Sequence, residues 1–230
     1  MRLDKYIAHT SDLSRALVKI ALRSKRVMVN GELIKDASLH ITPTDSVQLD
    51  GQTLSAVGPR YFMLHKPLGY ICATVDNEHP TVLELLDEPN KKTLHIAGRL
   101  DIDTTGLVLI TDDGPWNHRV TSPRHECHKT YHATLANTLA SDAEEKLQAG
   151  LLLNSETQLT KPASLERLSN NAVRLTISEG KYHQVKRMFA ALDNRVTELH
   201  RERIGGIALD ESLAVGEYRP LTAAEINSIQ

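Results

Sequence analysis

Ala97-Gly98-Arg99-Leu100-Asp101-Ile102-Asp103-Thr104-Thr105-Gly106-Leu107-Val108-Leu109-Ile110-Thr111 is the stretch on which the reading of this chain turns. Taken as extended chain, it places Arg99, Asp101 and Asp103 on one face and Leu100 and Ile102 on the other, because side chains alternate along a strand. Thr104, Thr105 and Gly106 read as a tight turn, and Leu107 to Ile110 as a continuous apolar run of buried-strand type. A charged loop is thereby fixed to a core strand, which is how a reactive carboxylate is held in place. Taken alone, the same Asp and Thr residues serve equally well as turn formers that bond nearby backbone.

The rest of the chain bounds what that loop can belong to. Its 230 residues suit one large domain, or a medium domain with a small one, and 40% of them are hydrophobic, enough for a sizeable core. No apolar run approaches the roughly 18 residues of a membrane span. Met1-Arg2-Leu3-Asp4-Lys5-Tyr6 has no apolar stretch of the secretory kind. Cys72 and Cys127 are far apart and without metal-knuckle spacing, which fits a reducing cytoplasm. His125, Cys127, His128 and His132 match no zinc pattern, and strand alternation would split them between faces, so no metal is expected. A net charge of −2 leaves room for a local basic patch.

Such a patch lies near the start. Residues 1–57 read as a separate small module, with eight basic residues against six acidic ones. Ser14 is a good N-cap for a helix over Arg15 to Ser24, with Leu17, Ile20 and Ala21 as its apolar face. Arg15, Lys19, Arg23, Lys25 and Arg26 fall within twelve residues free of acids, a stripe suited to phosphates or to solvent alone. Asn30-Gly31 between two β-prone runs is a hairpin signal, and Ser46 to Leu49 adds a strand. Val57-Gly58-Pro59-Arg60 reads as a linker to a second domain over 58–230. There, Tyr61 to Tyr70 gives a strand and a Pro-Gly turn into a second strand through Val75. Further strands are read at Lys129–Leu135 and Ala172–Ile177. Helices are read at 141–150, from about 184, and at 221–229.

Met1-Arg2-Leu3-Asp4-Lys5-Tyr6-Ile7, Ser14-Arg15 and Arg26-Val27-Met28-Val29-Asn30-Gly31, in that order, resemble an S4 RNA-binding domain. Three later stretches resemble the motifs of pseudouridine synthases. These are Gly98-Arg99-Leu100-Asp101 with Thr104 and Gly106-Leu107, then Lys129-Thr130-Tyr131, then Glu179-Gly180 with Gln184-Val185-Lys186-Arg187-Met188. Gly58 to Leu64 and His200 to Gly206 point to the small-ribosomal-subunit branch of that family.

The resemblance implies an α+β protein: a small S4-like RNA-binding domain, and a catalytic domain on a mixed, mostly antiparallel sheet. It implies isomerisation of one uridine, conventionally number 516, of small-subunit ribosomal RNA. It further implies Asp101 as the ionised carboxylate that attacks the sugar or takes its proton, Lys186 as the cation paired with it, and Tyr131 as the ring that stacks on the extruded base. Many relatives carry Arg where Lys186 stands, so the sign of that pairing is kept while the bidentate fork is lost. Arg99 is expected to hold phosphate or to fill the space left by the base. Asp103 is read as structural, or at most as a partner for Arg99.

No cofactor is required, because the reaction has no redox step. The expected partner is small-subunit ribosomal RNA, or its ribonucleoprotein assembly intermediate, met by a monomer away from any membrane. Three other readings fit the same residues. The first is an enzyme acting on a large-subunit RNA site. The second is a non-catalytic assembly factor in which Asp101 is structural. The third is a glycosidase using Asp101 and Asp103 as its carboxylate pair.

Overall fold

The structure, a computed structural model, describes residues 1–11, 13–42, 44–54 and 58–229. Val57, at the start of the expected linker, lies outside them. Two compact units are present: residues 1–60 with 88–93, and residues 61–87 with 94–230.

The first unit holds α1 (Leu3–Thr10), α2 (Arg15–Arg23), β1 (Val27–Val29), β2 (Glu32–Leu33), β3 (Val47–Leu49) and β4 (Gln52–Leu54). The strands form an antiparallel sheet in the order β2-β1-β3-β4. Asn30 and Gly31 both adopt positive φ, which turns β1 back onto β2. Ser14 caps α2 by accepting from the Leu17 amide at 3.3 Å. The buried face of α2 is Val18, Ala21 and Leu22, packed with Leu3, Ile7, Val27 and Val47. This corrects the expected face of Leu17, Ile20 and Ala21: Leu17 and Ile20 are exposed. The 18–21–22 spacing is also helical, and it is the one that meets α1 and the sheet. Arg15, Lys19, Arg23, Lys25 and Arg26 are all exposed.

The second unit holds β5 (Tyr61–Lys66), β6 (His95–Ala97), β7 (Thr105–Thr111), α3 (Gly114–Thr121), β8 (Lys129–Leu135), α4 (Ala143–Ala149), β9 (Ser164–Arg167), β10 (Ala172–Ile177), α5 (Gln184–Ala190), β11 (Val196–Ile204), β12 (Ile207–Ala208), β13 (Tyr218–Pro220) and α6 (Ala223–Asn227). Among the described residues nine strands form one mixed sheet. Its path is β13-β5-β7-β11-β8-β10-β9, with β6 added to β7 and β12 to β11. Only β7 and β11 run parallel; the other pairs are antiparallel. Each face has its own core. Val108 and Ile110 of β7 join Leu64, Leu175, Met188 and Phe189 on one side. Leu107 and Leu109 join Met63, Trp116, Ile204 and Ile207 on the other. A strand covered on both faces reads as an unbroken apolar run, as this one does.

Three expectations are corrected here. The tight turn lies at Asp101–Thr104, closed by the Thr104 amide on the Asp101 carbonyl at 3.1 Å, while Thr105 and Gly106 already belong to β7. Arg99, Asp101 and Asp103 therefore do not share one extended face. Tyr70 to Val75 is no strand, and its ladder pairing is limited to an isolated bridge between Ile71 and Thr81. The backbone there serves the neighbouring loops instead: Gly69 donates to the Ile102 carbonyl at 2.9 Å and Ile71 to that of Pro80 at 3.0 Å. Finally, the nine-residue β11 sits at the centre of the sheet, where the sequence reading marked only His200 to Gly206 as a family motif and no strand.

One register row crosses the sheet and positions the site. It runs Lys66–Gly106–Arg201–Tyr131–Leu175–Leu165 over β5, β7, β11, β8, β10 and β9. Residues directly opposite in a sheet share a face, so the Lys66, Arg201 and Tyr131 side chains emerge together. Gly106, at φ 106°, lets β7 and β11 close on each other: a Cβ there would lie 2.3 Å from the Arg201 carbonyl oxygen.

Candidate active site

Asp101 sits on the loop from Gly98 to Thr104 that joins β6 to β7, and both ends of this loop are tied down by buried cations. Arg201 donates from Nη2 to the Gly98 carbonyl at 2.8 Å, from Nη1 to that of Arg99 at 3.5 Å, and from Nε to that of Leu107 at 2.8 Å. Lys66 donates from Nζ to the carbonyls of Thr104 at 2.8 Å, Pro67 at 3.0 Å and Ile102 at 3.5 Å. Both side chains are fully or almost fully buried. Burial pulls the Lys66 ammonium below its ordinary range, while Asp101 and Asp103 pull it back up. The loop's inner residue, Leu100, is packed in the core, and its amide donates to the Cys72 sulfur at 3.3 Å.

This scaffold turns Asp101 toward α5. Lys186 Nζ lies 3.0 Å from Asp101 Oδ2 and 2.5 Å from Asp103 Oδ1. The hydrogen bond from Lys186 holds the Asp103 carboxyl below its usual range, against the opposite pull of burial. Burial lowers Lys186, but its bonds to Asp103 and Asp101 outweigh this and leave the ammonium above its ordinary range. A cation held in this way favours an ionised carboxylate beside it. His183, at the start of α5, brings Nε2 to 3.3 Å from Asp101 Oδ1. Asp101 is thus flanked by two basic side chains one helical turn apart.

The structure brings Asp101 and Lys186 together directly. Tyr131 is linked through Arg201 to the backbone of the Asp101 loop: its hydroxyl accepts from Nη1 at 3.4 Å, and the guanidinium carbon lies 5.9 Å from the ring centroid. Tyr131 is 8% exposed. Arg99 is exposed, and its backbone rather than its side chain is tied to the network. Asp103, read from the sequence as structural or at most a partner for Arg99, pairs with Lys186. Arg15, Lys19 and Arg23 on α2, with Lys25 and Arg26 just after it, belong to the first unit. Arg26 among them forms a two-pronged pair with Asp50 at 2.8 and 2.6 Å.

Sequence reasoning missed Lys66, Arg201 and His183. The signals were present. Phe62, Leu64 and Lys66 alternate onto one face of β5, as do Leu199 and Arg201 on β11, so both cations point into the core. His183 is three residues before Lys186, at the N-cap of the helix that carries it.

The chain has known counterparts. Residues 60–191 match the RNA pseudouridylate synthase family, and residues 1–47 match the S4 domain. The chain is 60% identical over 230 residues to the ribosomal small subunit pseudouridine synthase A of Yersinia pestis, covering all of this chain and 98% of that one. It is 59% identical to the protein of the same name from Escherichia coli strain K12, covering both chains completely. A solved structure described as a pseudouridylate synthase superimposes with a TM-score of 0.73 at 49% identity, covering both chains in full. With a matched region that contains the Asp101 loop, Tyr131 and Lys186, the chain belongs to the RNA pseudouridine synthase family and carries an S4 domain ahead of its synthase fold.

Proposed function

We propose that this protein converts one uridine of small-subunit ribosomal RNA to pseudouridine, with Asp101 as the essential carboxylate. The observation that carries the reading is the Asp101–Lys186 pair at 3.0 Å on a loop locked by Lys66 and Arg201. The relatives' names support the RNA class. In the reaction, the bond from C1′ to N1 of uracil breaks and one from C1′ to C5 forms. The C5 proton leaves to solvent and N1 gains one, so atoms and electrons balance without cofactor or oxidant. Asp101, paired with Lys186, either attacks the sugar or takes its proton. Tyr131 stacks on the base while it is detached and turned.

The division of labour follows the two domains, 1–57 and 58–230. In the first, Arg15, Lys19, Arg23, Lys25 and Arg26 line phosphates of folded RNA; in the second, Arg99 meets a phosphate or the vacated base position beside Asp101. The target is uridine 516 in a loop or bulge of an assembly intermediate, and the enzyme meets it in the cytoplasm as a monomer. Carbodiimide treatment followed by reverse transcription tests this on small-subunit and large-subunit transcripts, alone and with ribosomal proteins bound. A single stop at uridine 516 of small-subunit RNA is expected. A stop confined to large-subunit RNA would overturn the assignment.

A further inference from the structure

Beside Asp101 the chain presents an aromatic ring that the chemistry above does not use. Tyr182 is 75% exposed. Its ring stacks on the His183 imidazole, with centroids 3.8 Å apart and planes 22° from parallel. His183 in turn reaches Asp101 at 3.3 Å. One face of the tyrosine ring is therefore covered by a side chain of the site, and the other is open to solvent.

The segment is held from behind. The Tyr182 carbonyl accepts from Arg187 Nη1 at 3.0 Å, and Arg187 pairs with Glu156 at 3.2 Å. Lys181 pairs with the same Glu156 at 2.9 Å, and its amide donates to Gln184 Oε1 at 2.8 Å. Tyr182 belongs to none of the apolar cores of the two units, so packing does not account for an aromatic residue there.

The geometry points to Tyr182 as a stacking platform for the unpaired base next to the target nucleotide, with His183 as the plate beneath it. This rests on the isomerase reading above. A uridine delivered to Asp101 leaves its own stack, and its neighbour loses a stacking partner at the same moment. An exposed ring at the rim of the site replaces that partner, and it does so for any base because every base has a π-face. Tyr131 is buried and bonded to Arg201 while Tyr182 is exposed, so the two rings serve different nucleotides.

Tyr182→Ala in the full-length enzyme, assayed on small-subunit transcript, is expected to raise KM about fivefold or more with kcat changed less than about twofold. Tyr182→Phe and Tyr182→Trp restore the wild-type KM, and Tyr182→Leu does not. Transcripts with an abasic position 5′ or 3′ of the target complete the test. On one side, loss of the base costs the wild type the same factor and costs Tyr182→Ala nothing further. The same coupling is read in the dissociation constants of these RNAs. Independent penalties on both sides, or full rescue by Leu, overturn the platform. A wild type that shows the coupling in binding but isomerises nothing overturns the isomerase reading and leaves the platform standing.

Discussion

At the residue scale the site is a carboxylate placed by charges that are themselves buried. Lys66 and Arg201 donate to the carbonyls of the loop they hold and to those of Pro67 and Leu107 beside it, with one Arg201 bond reaching the Tyr131 hydroxyl, and Lys186 answers Asp101 from outside. Gly106 makes this arrangement possible by removing the side chain between the strands that carry Arg201 and the loop. Gly106→Ala is expected to destabilise the fold by at least about 2 kcal/mol, since both the positive φ and the backbone contact resist it. Thermal unfolding checks this, and an unchanged Tm would contradict the close approach of β7 and β11. Asp101, Lys186 and Tyr131 were legible in the sequence because each sits in a short motif of recognisable order. Lys66 and Arg201 were not, since a charged residue is read as a solvent face unless the alternation around it is followed to the end. That same habit hid β11, whose Val-Thr-Glu-Leu-His-Arg-Glu-Arg-Ile is rich in charge yet lies at the centre of the sheet.

At the element scale, patterns with a local cause were readable. The Asn30-Gly31 hairpin, the Ser14 cap and the alternation of β8 depend on neighbours in sequence. The phase of α2 and the fate of Tyr70–Val75 depend on what packs against them, and no local signal carries that. The short α6 shows how a small element is fastened. Thr222 and Glu225 form a capping box, and Arg219 grips Glu225 with two bonds of 3.0 and 2.8 Å. These Arg219 bonds hold the Glu225 carboxyl at about 2, although burial acts the other way. A depressed carboxylate adds stability that is complete above its ordinary range near 4.5 and is lost as pH falls toward 2. Glu225→Gln is therefore expected to lower Tm at neutral pH, with the difference from wild type shrinking between pH 4.5 and 2. Melting curves across that interval check it, and a constant difference would contradict the ion pair.

At the scale of the whole molecule, one unit offers exposed positive charge and the other a carboxylate in a locked loop. A net charge of −2 leaves RNA affinity to local patches rather than to the whole surface. Replacing Arg15, Lys19 and Arg23 of α2 together by Gln is expected to weaken RNA binding and to flatten its dependence on log salt by about two to three units, one phosphate contact for each side chain. An unchanged salt slope would take α2 out of the RNA interface. The most direct test of the account is tritium release from C5-labelled uridine in transcribed small-subunit RNA, with wild type and Asp101→Asn measured side by side at equal RNA binding. Release by the wild type and none by Asp101→Asn is the predicted result. Equal release by both would contradict the role given to Asp101. No release by either, on free or protein-bound small-subunit RNA, would contradict the isomerase itself.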